Sequence, residues 1–116
     1  MRHRKKGKIL DRKKDPRKAL LRSLATNLIL HEKIKTTEAK AKAVKPIIER
    51  LITKGKTNDL HIRRELLKYL YVENAVKKIL EDLSPRYKDR KGGYTRIIKL
   101  GNRQGDAAKI VQIEFV

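Results

Sequence analysis

The sequence predicts an α/β fold of the α+β type, in the order α-β-α-α-α-β-β, preceded by an extended basic arm. Three observations carry this. Apolar residues recur at helical spacing from Leu20 to Leu83, the pattern changes after Tyr94 to alternating β-branched residues, and the first twenty-two residues hold eleven Lys and Arg against only Asp11 and Asp15.

Residues 1–14 lack apolar periodicity apart from Ile9 and Leu10, and Gly7 adds flexibility among like charges, so they read as an arm that is extended or disordered alone. Residues 15–116 then form a single globular domain. Asp15 followed by Pro16 marks a helix start, because Asp accepts from free backbone donors and Pro fits the first helical position. Leu20, Leu21, Leu24, Ala25, Leu28 and Ile29 supply the inward stripe of that helix. Lys33–Thr37 alternates Ile34 and Thr36 with charged residues and reads as a short strand. Thr37 can cap the next helix, in which Val44, Ile47, Ile48, Leu51 and Ile52 form a core face. Pro46 lies inside that pattern, so a kink or a division into two pieces is expected, with Gly55 ending the helix.

Asp59 offers another cap, before Ile62, Leu66, Leu67 and Leu70. After Tyr71 a further helix carries Val76, Ile79, Leu80 and Leu83, and Pro85 is expected to terminate it. Residues 95–100 and 109–116 read as two strands joined by a polar turn over 101–106, since Val111, Ile113 and Phe115 alternate with Gln112 and Glu114.

With 116 residues, 39% hydrophobic and 39% charged, the chain has enough apolar side chains for one modest core. A net charge of +19 opposes the compact state by self-repulsion, which a polyanionic partner relieves. No apolar stretch approaches the roughly 18 to 20 residues of a membrane-spanning helix, and no signal-peptide pattern is present, so the chain reads as soluble, cytoplasmic and without a membrane partner. The absence of cysteine excludes disulfides, zinc knuckles and thiol chemistry. His3, His31 and His61 are too scattered for a metal cluster, so neither a metal nor another cofactor is expected.

An enzyme reading fares poorly. The carboxylates are interleaved with basic residues, Glu81 and Asp82 read as solvated, and Gly92-Gly93 is not followed by the Lys-Ser or Lys-Thr pair of a nucleotide loop. No small-molecule substrate is expected.

Phosphate binding by a polynucleotide suits three basic clusters. The first holds Arg2, His3, Arg4, Lys5, Lys6, Lys8, Arg12, Lys13 and Lys14 of the arm, continuing through Arg17, Lys18 and Arg22. Each phosphate that such a cluster neutralises releases condensed counterions. The second, Lys33, Lys35, Lys40, Lys42 and Lys45, surrounds a predicted helix amino terminus, where Thr36 and Thr37 hydroxyls can also meet phosphate oxygens. The third runs over 86–103: Arg86, Arg90, Arg96 and Arg103 supply charge, Gly92 and Gly93 permit a tight turn, and Tyr87 and Tyr94 offer rings for stacking. For Tyr94, packing on the core is an equal alternative. Aromatic residues are only 4%, which argues against a stacking sheet for single strands and for recognition of folded RNA by shape and backbone. A free nucleoid or RNA-chaperone protein is the competing reading.

The opening Met-Arg-His, Gly7-Lys8-Ile9-Leu10, Arg17-Lys18-Ala19-Leu20, His31-Glu32-Lys33-Ile34-Lys35-Thr36-Thr37 with Lys40-Ala41-Lys42, Gly92-Gly93-Tyr94-Thr95-Arg96-Ile97 and the closing Ile113-Glu114-Phe115-Val116 occur in this order. Together they resemble the bacterial large-subunit ribosomal protein seventeen family over the whole chain. The resemblance implies a small mixed three-stranded sheet against the helices, binding to 23S rRNA near the polypeptide exit region, and neighbouring large-subunit proteins as further partners. It also implies RNA contacts at Arg2, His3 and Lys8, at Thr36, Thr37, Lys40 and Lys42, and at Gly93, Tyr94, Thr95 and Arg96.

Overall fold

The structure, a computed structural model, describes the backbone of residues 14–116 and the side chains from Asp15 onward. The expected contacts at Arg2, His3, Arg4, Lys5, Lys6, Lys8, Arg12 and Lys13, and at the Lys14 side chain, lie outside the described residues. Helix α1 spans Lys14–His31, so Asp15 and Pro16 sit within its first turn instead of opening it. There the Asp15 carboxylate faces the positive end of the helix dipole. Strand β1 (Lys33–Thr37) follows, then α2 (Glu38–Gly55), α3 (Leu60–Leu70) and α4 (Glu73–Lys78). Beyond α4 a π turn (Ile79–Leu83) and a last helical turn, α5 (Ser84–Arg86), precede β2 (Thr95–Asn102) and β3 (Lys109–Phe115).

Local chemistry explains most of these boundaries. Asp59 Oδ1 accepts from the Ile62 N–H at 2.9 Å, the cap expected for α3. Thr37 occupies the N-cap position of α2 with extended backbone, but its hydroxyl makes no cap hydrogen bond. Of the two outcomes expected at Pro46, the division does not occur, and α2 runs unbroken through it. Pro46 lies on the exposed side, and the buried Ala41, Val44, Ile48 and Ile52 hold both halves against the core, which outweighs one lost backbone bond. Pro85 does not terminate the last rod, formed by α4, the π turn and α5 in succession, either. It falls within α5, after a π turn in which the Ser84 N–H donates to the Ile79 carbonyl five residues back. Lacking an N–H to donate, and with a ring that crowds the preceding turn, Pro85 favours that widening.

The sheet order is β1-β3-β2, and both pairs are antiparallel. This corrects the mixed sheet implied by the resemblance. β1 and β2 do run in the same direction, but β3 inserts between them, so no parallel pair forms. β3 sets Ile113 between Ile34 and Ile97, and Val111 opposite Thr36. The hairpin is longer than expected: β2 continues through Gly101 and Asn102 by way of an irregularity after Lys99, where Gly101 adopts a φ of +127°.

The helices cover one face of the sheet. Val111, Ile113 and Phe115 point to that face and meet Ala25, Leu28 and Ile29 of α1, Val44, Ile48 and Ile52 of α2, Leu66 and Leu70 of α3, and Val76, Ile79 and Leu83 of the last rod in one core. At its edge Ser84 is buried and donates from Oγ to the Ile52 carbonyl at 2.9 Å.

Glu32 ties three parts of the chain together. It turns the chain out of α1 with φ +65°, its N–H donates to the Leu28 carbonyl at 2.7 Å, and its own carbonyl accepts from the Phe115 N–H at 3.2 Å. Its carboxylate meets Arg86 Nη1 at 2.6 Å and Lys78 Nζ at 2.9 Å, and Asp82 contacts the same two cations at 3.0 and 3.3 Å. Asp82 is therefore an ion-pair partner, not the solvated residue expected from sequence. Hydrogen bonding from Arg86 and then Lys78 lowers the Glu32 carboxyl from 4.5 to about 2. A depressed acid contributes stability that is complete above its unfolded value and lost as pH falls through its folded one. The thermal midpoint is accordingly expected to drop between about pH 4.5 and about pH 2, with Glu32→Gln reducing that slope. A Glu32→Gln variant that tracks the native protein across this window would show that the network does not stabilise the fold.

Candidate nucleic-acid interface

Among the described residues, the helices leave the other face of the sheet open. Because Val111, Ile113 and Phe115 point inward, Gln112 and Glu114 point outward, and the register brings Lys33 and Arg96 to either side of Glu114 and Lys35 and Ile98 to either side of Gln112. Arg96 donates to Glu114 Oε2 from Nη2 at 2.7 Å and Nε at 3.1 Å. That pairing, with a smaller part from Gln112, holds the Glu114 carboxyl below its usual range. Lys33 and Lys35 have no carboxylate within ion-pair distance among the described residues.

At one end of this face lies a groove of about 450 Å³ lined by Lys35, Thr36, Thr37, Lys40, Ile110 and Arg103. Strand β1 delivers Lys35 and Thr36, the start of α2 delivers Lys40, and the hairpin turn folds Arg103 over them. Thr37 leaves its hydroxyl unused as a cap, and the first turn of α2 has backbone N–H groups without helical partners, so acceptor-rich oxygens are favoured here. Arg103 is held by Asp106, with Nε 3.1 Å from Oδ1. Its pull, aided by the Ala108 N–H, lowers the Asp106 carboxyl to about 2. Asp106 thus orients the guanidinium while leaving it exposed.

Beside this groove Glu38 pairs with Lys42 at 2.8 Å, and hydrogen bonding from Lys42, with charge from Lys109 and Lys99, lowers its carboxyl. Lys99 and Lys109 join Glu38, Asn102 and Ile110 in a smaller recess of about 150 Å³. Lys99 falls within the third basic cluster without being singled out there, and Lys109 lies outside all three clusters. Lys99 lies on β2 and Lys109 on β3, and only the folded hairpin brings both beside Glu38 at the start of α2.

The third cluster divides. Lys88, Arg90 and Lys91 are exposed, whereas Tyr87 and Tyr94 are core residues at 5% and 1% exposure. Their ring centroids lie 5.2 Å apart, the Tyr87 hydroxyl donates to the Val116 carbonyl at 2.7 Å, and the Tyr94 hydroxyl shares a 3.0 Å hydrogen bond with Thr53 Oγ1. Tyr94 thus takes the core-packing alternative, and Tyr87 packs beside it against Tyr94 and Phe115, so both rings are buried and neither presents an open face for stacking. Thr95 is buried as well, which removes its side chain from the surface, and Gly93 is exposed. Arg86 is committed to Glu32 and Asp82, so it faces carboxylates before any phosphate.

On α1, Lys18 is exposed and Arg17 half-buried, and neither lines the groove. Arg22 is turned toward α3, its guanidinium 4.3 Å from the Tyr71 ring centre and 5.5 Å from that of Tyr69. Among the described residues no three His, Asp or Glu side chains are placed to hold a metal ion, and no helix is long and apolar enough to cross a membrane.

The family model of ribosomal protein L17 matches residues 20–116, which takes in every strand and nearly all of the helical structure. This chain belongs to the ribosomal protein L17 family. Among its relatives, large ribosomal subunit protein bL17 of an Exiguobacterium species is 53% identical over 112 residues, covering 92% of this chain and 96% of the relative. The bL17 protein of Syntrophotalea carbinolica is 51% identical over 116 residues, all of this chain and 75% of the relative. That of Trichlorobacter lovleyi is 48% identical over the whole chain and 94% of its own length. L17 family members are ribosomal proteins and not enzymes, in keeping with the non-enzymatic reading of the sequence.

Proposed function

We propose that this chain is a structural constituent of the large ribosomal subunit in the cytoplasm, where it binds and stabilises folded 23S rRNA near the polypeptide exit region and touches neighbouring ribosomal proteins. Residues 15–116 act as one domain and 1–14 as its basic RNA-binding extension. The observation that carries this reading is the convergence of Lys35, Thr36, Thr37, Lys40 and Arg103 on one groove beside an open, lysine-bearing sheet face. Cations spaced along a groove, with helix-end donors between them, match a phosphate backbone and need no base-specific geometry. Lys42, Arg90 and Arg96 extend the positive surface, while Tyr87, Tyr94 and Thr95 act beneath it as supports.

Ribosomes washed in high salt and separated on a gradient test the proposal. The protein is expected to remain on the large subunit at about one copy per particle. A free RNA chaperone would instead wash off and appear in small, variable amounts, which would defeat the ribosomal reading.

A further inference from the structure

One stripe of α2, continued by the C-cap residue Lys56, faces away from the groove and grips the segment that carries the third basic cluster. Glu49, Thr53 and Lys56 stand four and then three residues apart, which places them in line along a helix. Glu49 Oε1 accepts the Gly93 N–H at 2.7 Å and the Tyr94 N–H at 3.3 Å. Thr53 Oγ1 bonds the Tyr94 hydroxyl, and Lys56 donates to the Arg90 carbonyl while its ammonium sits 4.9 Å from the Tyr94 ring centre. Gly92 and Gly93 have φ of +116° and +63°, with nothing within 4 Å of where a Cβ would stand. The glycines are therefore required by conformation and not by space, and such a backbone needs external bonds to keep one shape.

We propose that Glu49, with Thr53 and Lys56, is a clamp that fixes the 87–95 connection so that Lys88, Arg90 and Lys91 meet RNA already ordered, Glu49 being the principal positioning residue. This rests on the RNA-binding reading above. A carboxylate on a positive surface would otherwise oppose RNA, so its presence calls for another role. Holding two consecutive N–H groups of a glycine-containing turn supplies one, because it removes conformational freedom that binding would otherwise have to remove.

The two explanations differ in sign. Plain electrostatics makes both Glu49→Ala and Glu49→Gln bind RNA more tightly, since each removes a negative charge. The clamp makes Glu49→Ala weaker by about tenfold, while Glu49→Gln, which keeps an acceptor, stays at or above the native affinity. Filter binding of the full-length chain to a 23S rRNA transcript measures this, and amide exchange at Gly93 and Tyr94 is expected to accelerate in Glu49→Ala and recover in Glu49→Gln. If Glu49→Ala does not fold, Thr53→Ala carries the same expectation at about threefold. Glu49→Ala binding as well as native protein overturns the clamp and leaves the RNA reading standing. Failure of the native chain to bind the transcript above its affinity for unrelated RNA overturns the RNA reading itself, and the clamp with it.

Discussion

Replacing Gly55 with alanine is expected to lower stability by about 2 kcal/mol, with the thermal midpoint falling by roughly 10 °C. Gly55 is the last residue of α2 and is buried against the π turn and α5 of the last rod. An added Cβ would stand 2.6 Å from Ile79 Cγ2 and would also collide with Ser84 Oγ. Neither atom is the free end of a flexible chain: Ile79 is fully buried, and Ser84 is tethered to the Ile52 carbonyl. The two helical segments must separate or Ser84 must give up its bond. Alanine would ordinarily be favoured over glycine in a helix by up to about 1 kcal/mol, so a net loss isolates the packing clash. Urea unfolding should show a lower midpoint at unchanged slope. Combining Gly55→Ala with Ser84→Ala should cost less than the two separate losses together, since one colliding atom is gone. A Gly55→Ala protein as stable as the native one would mean that the approach of α2 to the rod is looser than described.

Removing the three groove cations together, as Lys35→Ala with Lys40→Ala and Arg103→Ala, is expected to weaken binding to 23S rRNA on the order of a hundredfold near 0.15 M salt. Each cation that neutralises a phosphate contributes roughly one unit to the slope of log affinity against log salt, so the slope should fall by about three. The fold should persist, because Lys35, Lys40 and Arg103 lie outside the hydrophobic core. Removal of Arg103 alone also leaves its partner Asp106 without a counter-cation next to the groove-lining position, so its single effect should exceed that of Lys35→Ala. An unchanged salt slope in the triple variant would place RNA elsewhere on the molecule.

Helix and strand order was legible because the apolar period differs between the two states: Leu20 to Ile29 and Val44 to Ile52 repeat every three to four residues, while Val111, Ile113 and Phe115 repeat every two. The Asp59 cap was legible for the same reason, being a contact three residues away in sequence. The divided α2 was not borne out, because the penalty for Pro46 is local and the burial that overrides it draws on α1, α3 and the sheet.

The candidate interface was only half legible. Sequence located basic residues but not their partners, and Arg86, Arg96 and Arg103 prove to be paired with Glu32, Glu114 and Asp106 in three different ways. Glu32 and Arg86 lie 54 positions apart, a separation at which no spacing rule operates.

By itself the sequence determined the element types and order, the single-signed charge that calls for a polyanion, and the family. Tertiary structure decided which of the described cations are paired with carboxylates, that the Tyr87 and Tyr94 rings are buried in the core, and that Lys35, Thr36, Thr37, Lys40 and Arg103 share one groove. The physical reason is range. Periodicity, capping and net charge are set by neighbours along the chain or by simple summation. Burial and ion pairing are set by neighbours in space, and those exist only once β3 has settled between β1 and β2 and the helices have closed over one face.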